Sequence, residues 1–388
     1  MKILHTSDWH LGHTLYNYDR MEEQRDMLLQ IKEIVQDQKP DVFLLCGDVY
    51  HTAQPSAAIQ TLFTEAIVEI HHANPQMSII IIAGNHDSAA KHEIFRSPWR
   101  ALKVYTIGNL DKENINEHII EIPGKGFILA VPYCNERNIP DGFFQTLIDA
   151  AEQRNTKQLP IVMTAHTTVR GCDFTGHDQA SEFVVGGIDS LEIEQLGKGF
   201  DYLALGHIHH AQFIHTGRHN VRYSGTPLAT SFDETYAHSI SIVEIECHHE
   251  TPRVKTLEIK NLRPLVTLPV RGTATWEEAK QLLLDFPDNI PAYIRLNVEV
   301  NDFLPVEANA EAHALTQNKK CRFCHIQVQK KAARKFEERI LTVQEFQAEN
   351  PLNIAQQYAE DCGITFDEEM KSLFNDVIKM IENDERNY

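Results

Sequence analysis

Five segments of this chain end an apolar stretch in residues that bind metals or carry protons. They are Asp8-Trp9-His10, Gly47-Asp48-Val49-Tyr50-His51, Gly84-Asn85-His86-Asp87, His166 after Met163-Thr164-Ala165, and Gly206-His207-Ile208-His209. Imidazoles, carboxylates and one amide, without a thiolate, suit Mn, Fe, Zn or Ni and argue against a structural zinc. Two cations about 3.5–4 Å apart need a shared carboxylate, and Asp48 is the natural bridge. Asp8, His10 and His209 would complete one ion; Asn85, His166 and His207 the other. His207 and His209 are two apart, as are Asp8 and His10, so on extended chain each pair shares a face. Such a pair of cations would activate a water and neutralise charge on a phosphate ester. His86 is adjacent to a ligand but is not needed as one, so it is the candidate to protonate the leaving oxygen. Asp87 would orient His86 or a ligand histidine.

The elements that must hold these groups are legible in the periodicity. Strands are expected at 2–6, 41–46 and 77–82, separated by helices. Met27, Leu28, Ile31, Ile34 and Val35 mark one helical stripe, and Ile59, Phe63, Ala66, Ile67 and Ile70 another, capped by Ser56. This alternation predicts a parallel sheet with ligands at the carboxyl ends of its strands. A short helix broken at Pro98, strands at 104–108, 118–122 and 127–132, and a helix over 143–153 follow. Strands at 159–165 and 200–205 flank a helix near 190–196, and strands at 238–246 and 253–260 are expected to be antiparallel. From about 264 the texture changes to a small α+β domain, with strands 265–270, 292–300 and 323–329 and a helix over 275–286. The last 45 residues read as helical: Thr365 and Glu368 form a capping box, and Phe366, Met370, Leu373, Phe374, Val377 and Ile381 form an apolar stripe.

Composition limits the partners. The net charge is −19, so a polyanion must be met by bound cations, a local basic patch or a second protein chain. The one basic concentration is Lys319, Lys320, Arg322, Lys330, Lys331, Arg334 and Lys335, either a solvated face or a phosphate contact. No apolar run approaches the roughly 18 residues of a membrane span, and the first residues carry no signal-peptide pattern. Seven irregularly spaced cysteines suit a reducing compartment, so a cytoplasmic protein is expected. Cys321-Arg322-Phe323-Cys324-His325 has the spacing of a c-type haem site, but no haem is expected without export.

The series D-x-H, G-D-x-x-H, G-N-H-D, H and G-H-x-H resembles the calcineurin-like metallophosphoesterases over about residues 1–260. That resemblance implies an α/β four-layer sandwich, two mixed sheets face to face with helices outside. A narrower resemblance is carried by Ile3-Leu4-His5-Thr6-Ser7-Asp8-Trp9-His10-Leu11-Gly12, by Tyr202-Leu203-Ala204-Leu205-Gly206-His207-Ile208-His209 and by Tyr223-Ser224-Gly225-Thr226-Pro227. These segments are similar to the SbcD family of bacterial nuclease subunits. The family implies a nuclease domain (1–263), a capping domain (264–340) that helps place DNA, and C-terminal helices (341–388) that dock on an SbcC-like ABC-type ATPase. It further implies two divalent ions, with Mn²⁺ the expected metal, and a homodimer within a heterotetramer. Nucleoid association and exonuclease and endonuclease activity in DNA repair, recombination and replication belong to the same expectation. His51 departs from some bacterial members, which carry Asp there; as His it matches the archaeal and eukaryotic branch, where that residue supports the leaving-group histidine.

Two rival readings differ in class. One is an enzyme of the same fold acting on a small phosphodiester or phosphomonoester. The other is a scaffold with a vestigial site that tethers an ATPase to DNA; the complete ligand set argues against it. No P-loop of the form G-x-x-x-x-G-K-[ST] is present, so ATP dependence would come from a partner. His5 and His13 are expected to be structural or surface residues, and His210 to face away from the ions.

Overall fold

In a computed structural model, residues 1–135, 138–176, 190–214, 219–331, 352, 355–356, 366–367 and 370–374 are described. Met1–Lys330 form one compact unit and Lys331–Tyr388 a second.

The first unit opens with β1 (Lys2–Thr6), α1 (Met21–Gln38), β2 (Val42–Cys46), α2 (Ala57–Ala73), β3 (Ser78–Ile82), α3 (Ala89–Trp99) and β4 (Val104–Ile107). β1, β2, β3 and β4 are parallel neighbours. β2 has no polar residue and β3 only Ser78, because helices and a second sheet bury both of their faces. α1 buries Met27, Leu28, Ile31 and Val35, and α2 begins where Ser56 accepts a hydrogen bond from the Ile59 amide at 3.4 Å. Pro98 stands inside the end of α3 rather than breaking it earlier.

The chain continues through β5 (Ile119–Ile122), β6 (Gly126–Ala130), α4 (Phe143–Arg154), β7 (Ile161–His166), β8 (Tyr202–Gly206), β9 (Gln212–Phe213), β10 (Val221–Tyr223), β11 (Ser239–Glu244) and β12 (Arg253–Glu258). The helix expected near 190–196 is a short 3₁₀ turn, Ile193–Leu196. The two sheets have orders β12-β11-β1-β2-β3-β4 and β5-β6-β7-β8-β10-β9. Both are mixed: β11 runs antiparallel to β1 and β12, while β6, β7, β8 and β10 run parallel.

Ile3, Val42, Leu44, Ile80 and Ile82 of the first sheet face Ile128, Ala130, Val162, Tyr202 and Ala204 of the second. α1 and α2 cover the outside of one sheet and α4 the outside of the other, which gives the four layers. Each buried Ile, Val or Leu contributes on the order of 1.5–3 kcal/mol. His5 crosses this interface. It is fully buried, 3.0 Å from the Tyr202 hydroxyl and 3.1 Å from the Leu205 carbonyl, and burial lowers it to about 3. It is a neutral pin, as a structural histidine should be.

A third sheet follows: β13 (Leu265–Leu268), α5 (Trp276–Asp285), β14 (Tyr293–Val300), α6 (Ala308–Thr316) and β15 (Arg322–Lys330), in the order β13-β14-β15. All of its strands are parallel, with α5 and α6 as crossovers. α6 has no counterpart in the periodicity, because its buried face is built from Ala308, Ala312 and Thr316 instead of large apolar residues. A seam fixes this layer to the two facing sheets. The Glu23 carboxylate accepts from Tyr293 at 2.7 Å and Arg263 at 2.8 Å, Tyr18 donates to the Phe323 carbonyl, and Arg322 donates to the Asp19 carbonyl.

The basic run is partly consumed by this architecture. Lys319 donates to the Leu284 and Phe286 carbonyls that close α5, and the Arg322 guanidinium lies over the rings of Tyr18 and Tyr293. Arg334 and Lys335 lie outside the described residues, as do Thr365, Glu368, Val377, Ile381 and most of 341–388. Within the second unit, residues 370–374 are helical and the Phe366 and Phe374 rings are 6.5 Å apart. Among the described residues no helix is long and apolar enough to cross a membrane.

Candidate metal centre

The first two site segments are zipped together beyond the ends of β1 and β2. The amides of Asp8, His10 and Leu11 donate to the carbonyls of Gly47, Asp48 and Val49, and the His51 amide returns to Leu11. This short ladder places Asp8 and His10 against Asp48. It is not the extended chain expected from the i, i+2 spacing. Asp8, His10, Asp48 and His207 have φ of 54°, 44°, 49° and 95°. A left-handed backbone at non-glycine residues costs on the order of 1–3 kcal/mol each and persists where surrounding contacts enforce it. The side chains converge because the strand ends turn sharply.

Glycines make the close approach possible. A Cβ on Gly84 would lie 2.1 Å from Oδ1 of Asp48, and one on Gly47 would lie 2.1 Å from the His166 ring.

Two donor groups result: Asp8, His10 and His209, and Asp48, His166 and His207, with ligand atoms in each within 4.8 Å of one another. Nε2 of His10 and Nε2 of His209 are 3.1 Å apart, and Asp48 Oδ2 lies 3.8 Å from the former and 3.3 Å from Nε2 of His166. Asp48 therefore stands between the groups. Asn85 Oδ1 is 3.0 Å from Nε2 of His166 and 3.1 Å from Nδ1 of His207. All seven expected ligands are brought together.

The surroundings fix which atoms face inward. Nδ1 of His166 donates to the Cys46 carbonyl at 2.8 Å, so its Nε2 lone pair points to Asp48 and Asn85. Nδ1 of His209 donates to Oε1 of Glu234 at 3.0 Å, and Thr230 donates to that same oxygen at 2.6 Å. Both Asp8 oxygens accept from the His207 amide.

Asp8 and Asp48 are buried, and burial raises the Asp8 carboxyl. Burial pulls His166 down, but Asp48 and Asp8 outweigh it and raise it to about 9. His209 is likewise raised to about 9 against burial by Glu234, Asp8 and Asp48. His10, by contrast, is held well below its ordinary value by burial and by His209 and His86. Buried carboxylates facing imidazole nitrogens 3–4 Å apart form a set that divalent cations satisfy and protons satisfy only in part. The residues present fit such ions.

His86 and His51 lie at the edge of this group. Their nitrogens fall within 4.8 Å of that of His10, and their rings stack at 5.8 Å. Nδ1 of His86 faces the His51 carbonyl at 3.0 Å; a carbonyl only accepts, so Nδ1 carries the hydrogen and Nε2 is the reactive atom. Asp87 does not contact His86 as expected. Its oxygens accept from the amides of Val49, Tyr50 and Gly84, and among the described residues the histidine it faces is His92, with Nε2 at 3.5 Å. It ties the β3 turn to the β2 turn, because three converging amides bind a carboxylate more strongly than one half-buried imidazole.

Three contributors escaped the sequence. Glu234 and Thr230 sit in a loop with no motif, and nothing local marks them. His13, expected to be structural or on the surface, packs beside the centre: its ring lies 4.7 Å from His51, and its Nδ1 is 3.2 Å from the Arg20 guanidinium. Burial and Arg20 lower it to about 3, so it is neutral. His210 faces Asp173 and stacks on Tyr236, away from the centre. A separate Asp201, His248 and His249 group is a fastening, with Asp201 accepting from His248 and the amides of Ile161 and His249.

The family model of the calcineurin-like phosphoesterases matches residues 1–211. With this match, and with two donor groups at the carboxyl ends of two facing sheets, the chain belongs to the calcineurin-like phosphoesterases. It is similar to proteins named as the SbcD component of nuclease SbcCD. That of Bacillus subtilis is 32% identical over 340 residues, covering 81% of this chain and 82% of the relative. That of Rhodobacter capsulatus is 29% identical over 320 residues (74% and 77%), and that of Escherichia coli K12 is 26% identical over 343 residues (82% of each). Within its superfamily the chain falls in the SbcD family.

Proposed function

We propose that this chain is the nuclease component of a DNA-end-processing complex, cutting phosphodiesters with two Mn²⁺ ions held by Asp8, His10, Asp48, Asn85, His166, His207 and His209. The observation that carries the reading is Asp48 standing between two donor groups in a relative of SbcD nucleases. When bound, the ions would lower the pKa of water and neutralise phosphate charge.

The chain's own residues supply the rest. Glu234 and the Cys46 carbonyl fix the tautomers of His209 and His166. His86, anchored through Nδ1 to the His51 carbonyl, presents Nε2 to hand a proton to the leaving oxygen. The His51 ring packs on His86 and limits its rotation, while Asp87 ties together the two turns that carry them.

Residues 264–340 serve as the cap that places DNA, residues 1–263 as the nuclease domain and 341–388 as the partner-binding segment. The partner is an SbcC-like ABC-type ATPase, and the working assembly is a homodimer within a heterotetramer. The resemblance supports duplex-end exonuclease and hairpin or single-strand endonuclease activity in the cytoplasm, at the nucleoid.

The test is Mn²⁺-dependent cleavage of a hairpin-ended duplex and of bis(p-nitrophenyl) phosphate by wild type and by His86→Ala. DNA cutting lost in the variant with bound metal retained supports the reading. Diester hydrolysis without DNA cutting, even with the ATPase added, would replace it by a small-substrate phosphodiesterase.

A further inference from the structure

Beside the metal centre lies a cleft of about 550 Å³ whose walls include His13, Tyr16, Thr230, Phe232, Arg295 and His325. Its volume is within the roughly 300–1,000 Å³ usual for small-ligand clefts. Two of its walls belong to the neighbourhood of the centre. His13 is the ring packed on His51, and Thr230 Oγ1 is 3.3 Å from Nδ1 of His209. Three of the remaining walls are aromatic and come from two layers, among polar and aliphatic neighbours such as Arg295, Ile326 and Gln327. Tyr16 projects from the loop after β1, Phe232 from the loop after β10, and His325 from β15. Tyr16 and His325 lie nearly parallel, with centroids 4.4 Å apart, and Phe232 is 6.0 Å from Tyr16 and 5.8 Å from His325. Phe232 is buried beneath Arg295, whose guanidinium lies 5.2 Å from the ring centroid and is held by Asp233. Tyr16 is 46% exposed.

The backbone under Tyr16 gives an independent reason to ask what the ring is for. Leu15 and Tyr18 exchange both of their amide-to-carbonyl hydrogen bonds, and Tyr16 and Asn17 between them have φ of 47° and 67°. This is the pattern of a two-residue type I′ turn, whose first central position favours Asn, Asp or Gly. A bulky aromatic there is an outlier, tolerated at a local cost. The cap is already joined to the nuclease sheets by Glu23 with Tyr293, and by Tyr18 with Phe323. Tyr16 reaches the same layer through its ring on His325 and a 3.3 Å contact of its hydroxyl with His325 Nε2, beside these fastenings.

We propose that this cleft receives one unstacked nucleobase of the strand being cut, with Tyr16 as its stacking face and Phe232 and His325 as supporting walls. The inference rests on the nuclease reading and adds to it the part of the substrate that this cleft reads. Every base has a π-face, so aromatic stacking holds a nucleotide without reading sequence. It also needs no positive surface, which suits a chain of net charge −19. A base held one ring away from His51 would fix the backbone beside the scissile phosphate, and only a locally unpaired strand could supply it.

Tyr16→Asn separates the roles, because Asn is favoured at this turn position and cannot stack. Melting temperature, kcat/KM on a hairpin-ended duplex and kcat/KM on bis(p-nitrophenyl) phosphate are measured with Mn²⁺, using the full chain, Tyr16→Asn and Tyr16→Phe. In the His86→Ala background, 2-aminopurine placed at successive positions from the cut site reports stacking by its quenching. The proposal expects Tyr16→Asn to melt at the wild-type temperature or above. Its DNA-to-diester activity ratio should fall roughly tenfold or more, and quenching at one position should disappear. Tyr16→Phe should keep both.

A lowered melting temperature with equal losses on the two substrates would make Tyr16 a strut and overturn the proposal. Unchanged DNA cutting by Tyr16→Asn would overturn it while leaving the nuclease reading intact. Wild type that hydrolyses the diester but neither cuts nor binds DNA would overturn both.

Discussion

Oε1 of Glu234 lies 3.0 Å from Nδ1 of His209, and Glu234 is buried with Thr230 hydrogen-bonded to the same oxygen. The carboxylate selects the tautomer that turns Nε2 toward His10 and Asp48. Glu234→Gln keeps an acceptor but loses the charge. Mn²⁺ affinity by calorimetry should fall roughly 10-fold, and Glu234→Ala should approach roughly 100-fold. Equal affinity in all three proteins would remove Glu234 from the site.

His86 touches the Asp48 carboxylate only through its backbone amide, at 2.9 Å. His86→Ala keeps that amide, so metal content by elemental analysis should match wild type while kcat falls on the order of 10²–10⁴-fold. Loss of metal along with activity would show that the imidazole is a ligand.

Gly84→Ala places a methyl 2.1 Å from Asp48 Oδ1 and 2.3 Å from the Asp48 amide nitrogen. Backbone does not yield as a flexible side chain does. We expect a loss of about 1–3 kcal/mol in urea unfolding together with weakened Mn²⁺ binding. Gly124→Ala, where a Cβ meets nothing within 4 Å, should leave metal binding unaltered despite its φ of 69°.

The seam between the third sheet and the other two should be sensitive to acid. Burial pushes the Glu23 carboxyl up, the Tyr293 hydroxyl and Arg263 push it down, and the balance is below the ordinary 4.5. A depressed folded-state value means the stabilisation is fully present above about pH 4.5 and is lost as pH falls through the folded value. In thermal melts, Glu23→Gln should be less stable than wild type at pH 7, and the gap should close below pH 4.5. A gap that persists at pH 3 would mean that shape, not charge, matters there.

The strands that carry the site are legible because their polar ends break long apolar runs: Ile79–Ile82 before Asn85, and Leu203–Leu205 before His207. The candidate ligand set follows from residue type. The aiming of those ligands does not, since left-handed turns at Asp8, His10, Asp48 and His207 replace the extended geometry that two-residue spacing suggests. Asp87 departs from expectation because a carboxylate beside a histidine in sequence need not face it in space. Glu234 and His13 are hidden for the same reason. Their roles arise from contacts across 25 residues and 38 residues of chain, to His209 and His51, which no local pattern records. α6 is invisible in the periodicity because its inner face is largely alanine.

Asp8, His10, Asp48 and Asn85 follow strands of one sheet, whereas His166, His207 and His209 end or follow strands of the other. Ions held by all of them would act as a rivet through two plates that also meet through side-chain packing, the His5 pin and hydrogen bonds such as Ser7–Ser224 at 2.7 Å and Arg222–Ser241 at 3.1 Å. Occupancy should then be readable far from the site. Adding Mn²⁺ should slow deuterium uptake in β1 and β2 and in β7 and β8 by a common factor, since neither plate could open without withdrawing the rivet. Uptake that slows in one sheet alone would mean that only half of the joint is closed by the metal.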